Sequence, residues 1–253
     1  MTRHDEREAR LPLLQMVLAI PPLSLPGLSV FLVSQSKARD VSRELYALLD
    51  TDERTRSARF TTWERQHRFS TGRAALRSLL SMTEGGAVAA TDWRFGVLAN
   101  GKPFVRTPGS RIRSFNLSYG DDFIAIAVST AVEVGVDIEC DREIPLDTLP
   151  WHLFSEDEQQ ILKKTPAADF TGAFLKLWTL KEAIAKRTGQ GFATEFSALN
   201  TAEMPVVVGL ASVEREADID ALLFHTDLSV GDETVYLSVS TAPLGSDEDV
   251  TMR

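Results

Sequence analysis

Hydrophobic residues along this chain recur at two spacings, one typical of helices and one typical of strands. A spacing of three to four residues predicts helices over Arg39 to Leu49, Trp63 to Ser81 and Phe170 to Gly189. Short apolar or alternating runs predict strands at Phe123 to Val128, Ala131 to Ile138, Val206 to Leu210 and Thr234 to Val239, the first two adjacent to each other. The pattern therefore predicts a mixed α/β (α+β) chain without an evident linker or internal repeat.

The start of another helix is marked by Phe154-Ser155-Glu156-Asp157-Glu158. Ser155 followed three residues later by Glu158 is a capping-box pattern, in which each side chain bonds the other residue's backbone N–H. On the helix that follows Phe170, Trp178, Glu182 and Lys186 line one flank by helical periodicity. Lys181 instead falls on the apolar stripe, so it must either extend to solvent or meet an acid.

Composition excludes several classes of protein. The 253 residues are 43 % hydrophobic and 25 % charged, which is typical of a globular chain with one large domain or two modest ones. One cysteine, Cys140, and four scattered histidines exclude a disulfide scaffold and a structural zinc module. Prolines interrupt the apolar stretch Leu11 to Leu25, which reads as an N-terminal arm or edge strand. We expect a cytoplasmic protein that does not associate with a membrane.

Charge is distributed unevenly. Residues 53–113 carry twelve positive and four negative side chains, a net of +8, whereas residues 202–253 carry a net of −9, equal to the net charge of the whole chain. A basic stretch of this kind can serve a polyphosphate, an acidic protein or nucleic acid, or it can be a solvated helix face. Because no nucleic-acid-binding motif accompanies the charge, we expect no nucleic-acid partner.

The first candidate chemistry lies at Gly135-Val136-Asp137-Ile138-Glu139. On a strand, Asp137 and Glu139 project from the same face. At about 5 Å and an effective dielectric constant near 20, their repulsion is on the order of 3 kcal/mol, and a cation between them would remove it. Carboxylate oxygens favour Mg²⁺, with Mn²⁺ possible. Two solvent-facing acids on an edge strand are the alternative interpretation.

Four motifs in register carry a resemblance to a known family. They are Phe115-Asn116-Leu117-Ser118, Gly135 to Glu139, Phe154-Ser155-x-x-Glu158 and Trp178-x-x-Lys181-Glu182-Ala183-x-x-Lys186. Together with Asn100-Gly101-Lys102-Pro103 and the arginine-rich helix, this set resembles the Sfp-type 4′-phosphopantetheinyl transferases over roughly Arg54 to Phe192.

The resemblance implies two pseudo-twofold-related α/β halves, residues 1–127 and 128–253, with coenzyme A and Mg²⁺ in the cleft between them. It implies a monomer that transfers the phosphopantetheine arm to a serine of an apo acyl or peptidyl carrier protein, such as those of polyketide or siderophore synthesis. The metal ligands would be Asp137, Glu139 and Glu182. Glu158 would deprotonate the carrier serine and Lys186 would lie near the pyrophosphate, while the nucleotide phosphates would contact Arg56, Arg68, Lys102 and Ser118.

One departure from the family pattern is Tyr119, where many members have a phosphate-contacting histidine after the serine. Tyrosine donates one hydrogen bond but carries no positive charge. Our hypothesis is that Tyr119 still contacts a phosphate and that a neighbouring arginine supplies the charge. Two alternative functions remain open: another Mg²⁺-dependent enzyme such as a phosphohydrolase, and a non-catalytic protein that binds coenzyme A or a carrier.

Overall fold

A computed structural model describes residues 16–18, 25–190, 196–202, 204, 206–208 and 222–242. Its helices are α1 (Ser42–Ala47), α2 (Thr51–Ser57), α3 (Trp63–Thr83), α4 (Glu156–Lys164) and α5 (Phe170–Thr188). Its strands are β1 (Val17–Leu18), β2 (Leu28–Ser34), β3 (Phe95–Val97), β4 (Pro103–Val105), β5 (Ser114–Tyr119), β6 (Phe123–Ser129), β7 (Val134–Cys140), β8 (Val206–Val208), β9 (Leu222–Val230) and β10 (Glu233–Thr241). Single 3₁₀ turns lie at Arg39–Val41, Ala90–Asp92, Leu146–Thr148, Trp151–Leu153 and Phe196–Ala198.

The strands form two four-stranded sheets and a separate hairpin. Sheet 1 has the order β1-β2-β6-β5 and is antiparallel throughout. Sheet 2 has the order β7-β10-β9-β8, in which only the β8–β9 pair is parallel. The hairpin pairs β3 with β4. The predicted α+β class is confirmed.

The two sheets pack face to face, and each outer face is covered by one long helix. A core cluster joins Leu32 and Ala125 of sheet 1 to Val136 and Leu237 of sheet 2. On the outer face of sheet 1, a second cluster joins α3 to alternate residues of β5 and β6. Helix α5 packs on the outer face of sheet 2, against β7 and β10. The order of layers is therefore helix, sheet, sheet, helix.

The connection between the two sheets corrects one prediction. The runs at 123–128 and 131–138 both contain strands, β6 and β7, but these strands are not hydrogen-bonded neighbours. The chain leaves sheet 1 at Ser129 and enters sheet 2 at Val134, so β6 and β7 lie in different sheets that face each other. Periodicity detects the strands but not their pairing, because an apolar run fits the centre of either sheet. The division into residues 1–127 and 128–253 stays a prediction.

The ends of the helices follow the local signals in the sequence. Ser155 and Glu158 form the predicted capping box at the start of α4, and Gly189, with φ +71°, ends α5 in the left-handed conformation. The predicted helix at 39–49 is instead a 3₁₀ turn followed by the short α1. Val17–Leu18 is an edge strand, as predicted, while most of the predicted arm and the acidic tail beyond residue 242 lie outside the described residues. Within the described ranges, no helix is long and apolar enough to cross a bilayer.

Candidate active site

Glycine at position 135 allows the backbone of α5 to lie directly on β7. A Cβ atom at this position would come well within 3.0 Å of the carbonyl oxygen of Ala183 and the amide nitrogen of Arg187. Both of those atoms belong to α5. In sequence, Ala183 lies between Glu182 and Lys186, and Arg187 directly follows Lys186. Because side chains alternate along a strand, Asp137 and Glu139 share the face of Gly135 that meets this helix. The close approach thus brings the acids of β7 and the predicted site residues of α5 together.

The carboxylate of Asp137 is almost completely buried, at 4 % exposure. Its Oδ1 accepts hydrogen bonds from the Ser118 hydroxyl at 2.7 Å and from the Lys186 ammonium at 2.6 Å. Its Oδ2 is buried and has no hydrogen-bond partner among the described residues. Burial raises the pKa of Asp137, against the opposing effect of Lys186 and Ser118, and the charge of Glu139 raises it further.

The other two acids share this electrostatic environment. Glu139 is paired with Arg142 at the end of β7, and Glu182 is half-buried on α5. Burial raises the pKa of Glu182, and the negative charges of Asp137 and Glu139 raise it further, while Lys186 opposes the shift. The structure therefore brings Asp137, Glu139, Glu182 and Lys186 into one neighbourhood.

A divalent cation is chemically compatible with this group. Carboxylate oxygens are the ligands that Mg²⁺ and Mn²⁺ prefer, and the buried Oδ2 of Asp137 is an unsatisfied acceptor of that kind. In the described part of the chain, however, no three His, Cys, Asp or Glu side chains are arranged as a metal-binding group. The cations next to the acids are the side chains Lys186 and Arg142, so these ion pairs would have to rearrange around a metal ion.

A cavity of about 440 Å³ lies beside the acidic group, between α2, α3 and β5. Its lining includes four arginines, Arg56, Arg65, Arg68 and Arg73, together with Leu117 and Tyr119. Arg73 is paired with Glu53 at 2.5 Å, whereas Arg56 and Arg65 have no carboxylate partner among the described residues. The cavity is therefore strongly cationic, as the basic stretch of the sequence indicated.

Other cations of the basic stretch serve the fold rather than the cavity. Arg77 is fully buried and bonds Asp50 and Glu53 at 2.5 and 2.7 Å. Arg111 pairs with Glu84 and lowers the pKa of that carboxyl against the effect of its burial. The arginines of this stretch thus divide into some that form ion pairs within the fold and others that line the cavity.

Tyr119 lines the cavity where the family pattern has histidine. Its ring lies against α3 at Gly72, where a Cβ would come within 2.8 Å of the tyrosine Cε1. Arg68 lies over the ring, at 5.4 Å from its centroid, and donates to the Gly120 carbonyl at 2.6 Å. Burial raises the pKa of Tyr119 although Arg73, Arg68 and Arg56 oppose the shift, so the phenol stays protonated and able to donate.

Lys102 and Ser118, both predicted to bind phosphate, do not line this cavity. Lys102 is buried, pairs with Glu133 and donates to the Arg187 carbonyl at 2.7 Å, near the end of α5. Its neighbour Asn100 donates to the Thr188 carbonyl at 3.5 Å. These contacts attach the β3–β4 hairpin to α5 and favour a structural role for Lys102.

Glu158 lies apart from the acidic group, in a buried network of its own. It is 0 % exposed, and its carboxylate accepts from the Ser155 and Thr201 backbone amides and from the Thr201 hydroxyl, at 2.7–2.9 Å. Lys181 is also 0 % exposed and pairs with it at 2.7 Å. Lys181 thus meets an acid, the second of the two outcomes predicted for it. Burial lowers the pKa of Lys181, and the pairing with Glu158 opposes that shift.

Sequence reasoning missed three residues of the site. Arg65 and Arg73 line the cavity beside Arg68. Arg68 follows Arg65 by three residues and Arg73 follows it by eight, a spacing that helical periodicity could have used to place them together. Arg142, which pairs with Glu139, lies two residues beyond the end of β7. The two residues are three apart in sequence, so this contact is local.

The fold and the site define an α+β protein with a cationic cavity beside a group of acids, an arrangement that suits a phosphate-rich ligand. Residues 133–234 match the family model described as the 4′-phosphopantetheinyl transferase superfamily. The chain is 32 % identical over 166 residues to the 4′-phosphopantetheinyl transferase psf-1 of Bacillus pumilus, a match that covers 66 % of this chain and 69 % of that protein. This chain belongs to the 4′-phosphopantetheinyl transferase family.

Two further relatives show how far the similarity extends. The 4′-phosphopantetheinyl transferase HetI of a Nostoc species is 33 % identical over 156 residues, which is 60 % of this chain and 64 % of HetI. A phosphopantetheinyl transferase of a Thraustochytrium species is 26 % identical over 248 residues, 92 % of this chain and 84 % of that protein. The match to HetI thus spans slightly less than two thirds of that protein. The match to the Thraustochytrium protein covers most of both chains, but at lower identity.

Proposed function

We propose that this protein transfers the 4′-phosphopantetheine arm of coenzyme A to a serine hydroxyl of an apo acyl or peptidyl carrier protein. The other product is adenosine 3′,5′-bisphosphate. The observation that carries this proposal is that consecutive residues of β5 belong to the two parts of the site. Tyr119 lines the arginine cavity, and the adjacent Ser118 bonds both Asp137 and Lys186.

The arginine cavity would hold the nucleotide phosphates. Arg56 and Arg65 have charge available for a ligand, and the Tyr119 phenol can donate one hydrogen bond. Arg68, over the tyrosine ring, supplies the positive charge that tyrosine lacks. The pyrophosphate would then extend from the cavity toward Lys186 and the acids of β7 and α5.

The acids Asp137, Glu139 and Glu182 would hold Mg²⁺, or Mn²⁺. Such a cation would neutralise negative charge on the pyrophosphate and on the adenosine 3′,5′-bisphosphate that leaves. Lys186 contributes a further positive charge at the same place, since its ammonium group is already within 2.6 Å of Asp137. The carboxylates must be ionised to bind a cation, and the raised pKa values of Asp137 and Glu182 predict weaker binding at acidic pH.

The proton of the carrier serine needs an acceptor. Glu158 would have to leave Lys181 and Thr201 before it could reach a substrate, so its contacts favour a structural role. As a proposed cation ligand, Glu182 is not free to act as this base. The family resemblance assigns the step to Glu158, which would accept the proton only after releasing these contacts.

Carrier proteins of this kind would dock on the basic side of the molecule if they are acidic, because opposite charges speed association. Both parts of the site come from one chain, which supports a monomer as the active species.

Mass spectrometry of carrier proteins tests the proposal. The protein is incubated with coenzyme A, Mg²⁺ and a panel of apo-carriers, and the carriers are then weighed. Metal-assisted transfer of the phosphopantetheine arm adds about 340 Da to a carrier. Asp137→Asn should lose most of the rate, whereas Asp92→Asn, an exposed acid remote from the group, should retain it. Release of phosphate from coenzyme A without a carrier would indicate a phosphohydrolase, and binding without any product would indicate a non-catalytic protein.

A further inference from the structure

A glycine lies in the middle of α3, at position 72. Inside a helix, glycine costs about 1 kcal/mol of stability relative to alanine. Gly72 is not among the described glycines with a positive φ, so its backbone conformation does not require this residue type. Because Gly72 is buried, the reason for glycine at this position must lie in what packs against it.

The ring of Tyr119 occupies the space that a side chain at position 72 would need. A Cβ at this position would lie 2.8 Å from Cε1 and 2.9 Å from Cζ of the tyrosine, and closer still to its hydroxyl oxygen. Arg68 lies over the ring, and the open space beside the ring is the arginine cavity, which Tyr119 lines. A ring displaced by a side chain at position 72 would therefore move into the cavity.

The position of this ring matters because its hydroxyl is a donor that a ligand in the cavity can use. In the described part of the chain the Tyr119 hydroxyl has no hydrogen-bond partner. Arg56, Arg68 and Arg73 lie close enough for their charges to lower the pKa of the phenol, against the larger effect of its burial. All three arginines line the same cavity. The phenol and the three guanidinium groups thus surround one volume.

Ring size links position 119 to position 72. A histidine ring has no atoms corresponding to Cζ and Oη of tyrosine, which are two of the three atoms that a Cβ at position 72 would meet. Histidine at position 119 would therefore tolerate a side chain at position 72, whereas tyrosine would have to move. This chain has tyrosine and glycine at the two positions.

We propose that Gly72 is a positioning residue for Tyr119, and that glycine at position 72 is what permits tyrosine at position 119. Because Gly72 has no Cβ, the phenol lies against α3 and the cavity stays open to the phosphates of a nucleotide. The inference rests on the proposed function, because coenzyme A is the ligand whose binding a displaced ring would obstruct.

Calorimetric titration of coenzyme A, at pH 8 and with Mg²⁺ present, tests the coupling between the two positions. At this pH an ordinary histidine is neutral, so Tyr119→His adds no charge to the cavity. Gly72→Ala should raise the dissociation constant about tenfold in the original chain but less than about twofold in the Tyr119→His chain, a coupling of the size found for residues in contact. The urea midpoint of Gly72→Ala should stay constant or rise, because alanine has the higher helix propensity.

Gly172→Ala is the matched control, because it also adds a methyl group to a helical glycine that faces a tyrosine hydroxyl, that of Tyr236 on β10. Its affinity for coenzyme A should not change. Equal effects of Gly72→Ala in the two chains, or no effect in either, would overturn the inference. If Gly72→Ala folds only together with Tyr119→His, the coupling is supported, and if it folds in neither chain, the glycine serves the fold alone and the inference is wrong. An original chain that neither binds coenzyme A nor modifies any carrier would instead refute the proposed function, a result distinct from failure at position 72.

Discussion

Replacing Gly135 with alanine would push α5 away from the strand that carries Asp137. The added Cβ would come well within 3.0 Å of two backbone atoms of α5, the Ala183 carbonyl oxygen and the Arg187 amide nitrogen. Backbone atoms cannot rotate out of the way as a side chain can. Since ordinary contact begins at 3.4 Å, the helix must move outward by on the order of 1 Å.

The cost of this change can be estimated from its two effects. Overpacking of a tight interface costs about 1–3 kcal/mol of the free energy of unfolding. Displacement of Glu182 and Lys186 by about 1 Å from Asp137 should reduce the transfer rate on the order of 100-fold. Urea unfolding followed by circular dichroism measures the first effect, and carrier modification at saturating coenzyme A measures the second.

Gly172→Ala is a suitable control because it places a methyl group on the same helix. There the nearest atom is the Tyr236 hydroxyl at 3.2 Å, at the end of a side chain that can adjust. Alanine also has a higher helix propensity than glycine, by at most about 1 kcal/mol, so the urea midpoint should stay constant or rise. If Gly135→Ala unfolds at the same urea concentration as the original chain and retains its rate, the close-approach argument is wrong.

Three further predictions concern other parts of the molecule. Lys181→Met leaves the Glu158 charge buried without its cation and should cost about 3–5 kcal/mol in thermal or urea unfolding. Tyr119→Phe removes one hydrogen bond and should weaken coenzyme A binding about two- to tenfold by calorimetry, with stability nearly unchanged. Burial lowers the pKa of His225, with Lys176 acting in the same direction and Asp227 opposing, so the unfolded chain takes up the proton first. Stability should therefore fall as pH drops below about 6.5, and His225→Gln should flatten that dependence in urea midpoints at pH 5 and 8.

Each of these has an outcome that contradicts it. Lys163→Met, a change at an exposed lysine of α4, should leave the free energy of unfolding nearly unchanged. If Lys181→Met loses no more stability than this control, the buried ion pair contributes nothing. Unchanged affinity of Tyr119→Phe for coenzyme A would rule out the tyrosine contact. A pH dependence that persists in full in His225→Gln would assign the acid sensitivity to other groups.

Local signals in the sequence determined much of the secondary structure. The capping box at Ser155, the left-handed Gly189 and the long helices at 63–83 and 170–188 all follow from short-range patterns. The shorter α1 differs from its prediction because a single 3₁₀ turn replaces its first residues. Such boundaries depend on contacts with the rest of the molecule, to which helical periodicity is insensitive.

Strand alternation and helix periodicity also predict which faces of their elements carry the acids and Lys186, because side-chain direction repeats every 2 or 3.6 residues within one element. The family motifs, read in order, led to the same set of residues. These inferences needed no knowledge of how distant segments meet.

The pairing of distant segments was decided by the tertiary structure alone. Three features depend on contacts between residues far apart in sequence. β6 and β7 lie in different sheets, Lys102 attaches to the end of α5, and Ser118 faces Asp137 rather than the cavity. The buried pairing of Glu158 with Lys181 is of the same kind. A residue's type and local spacing limit what it can bind, but its partner is selected by which surfaces pack together, and that selection is a property of the whole chain.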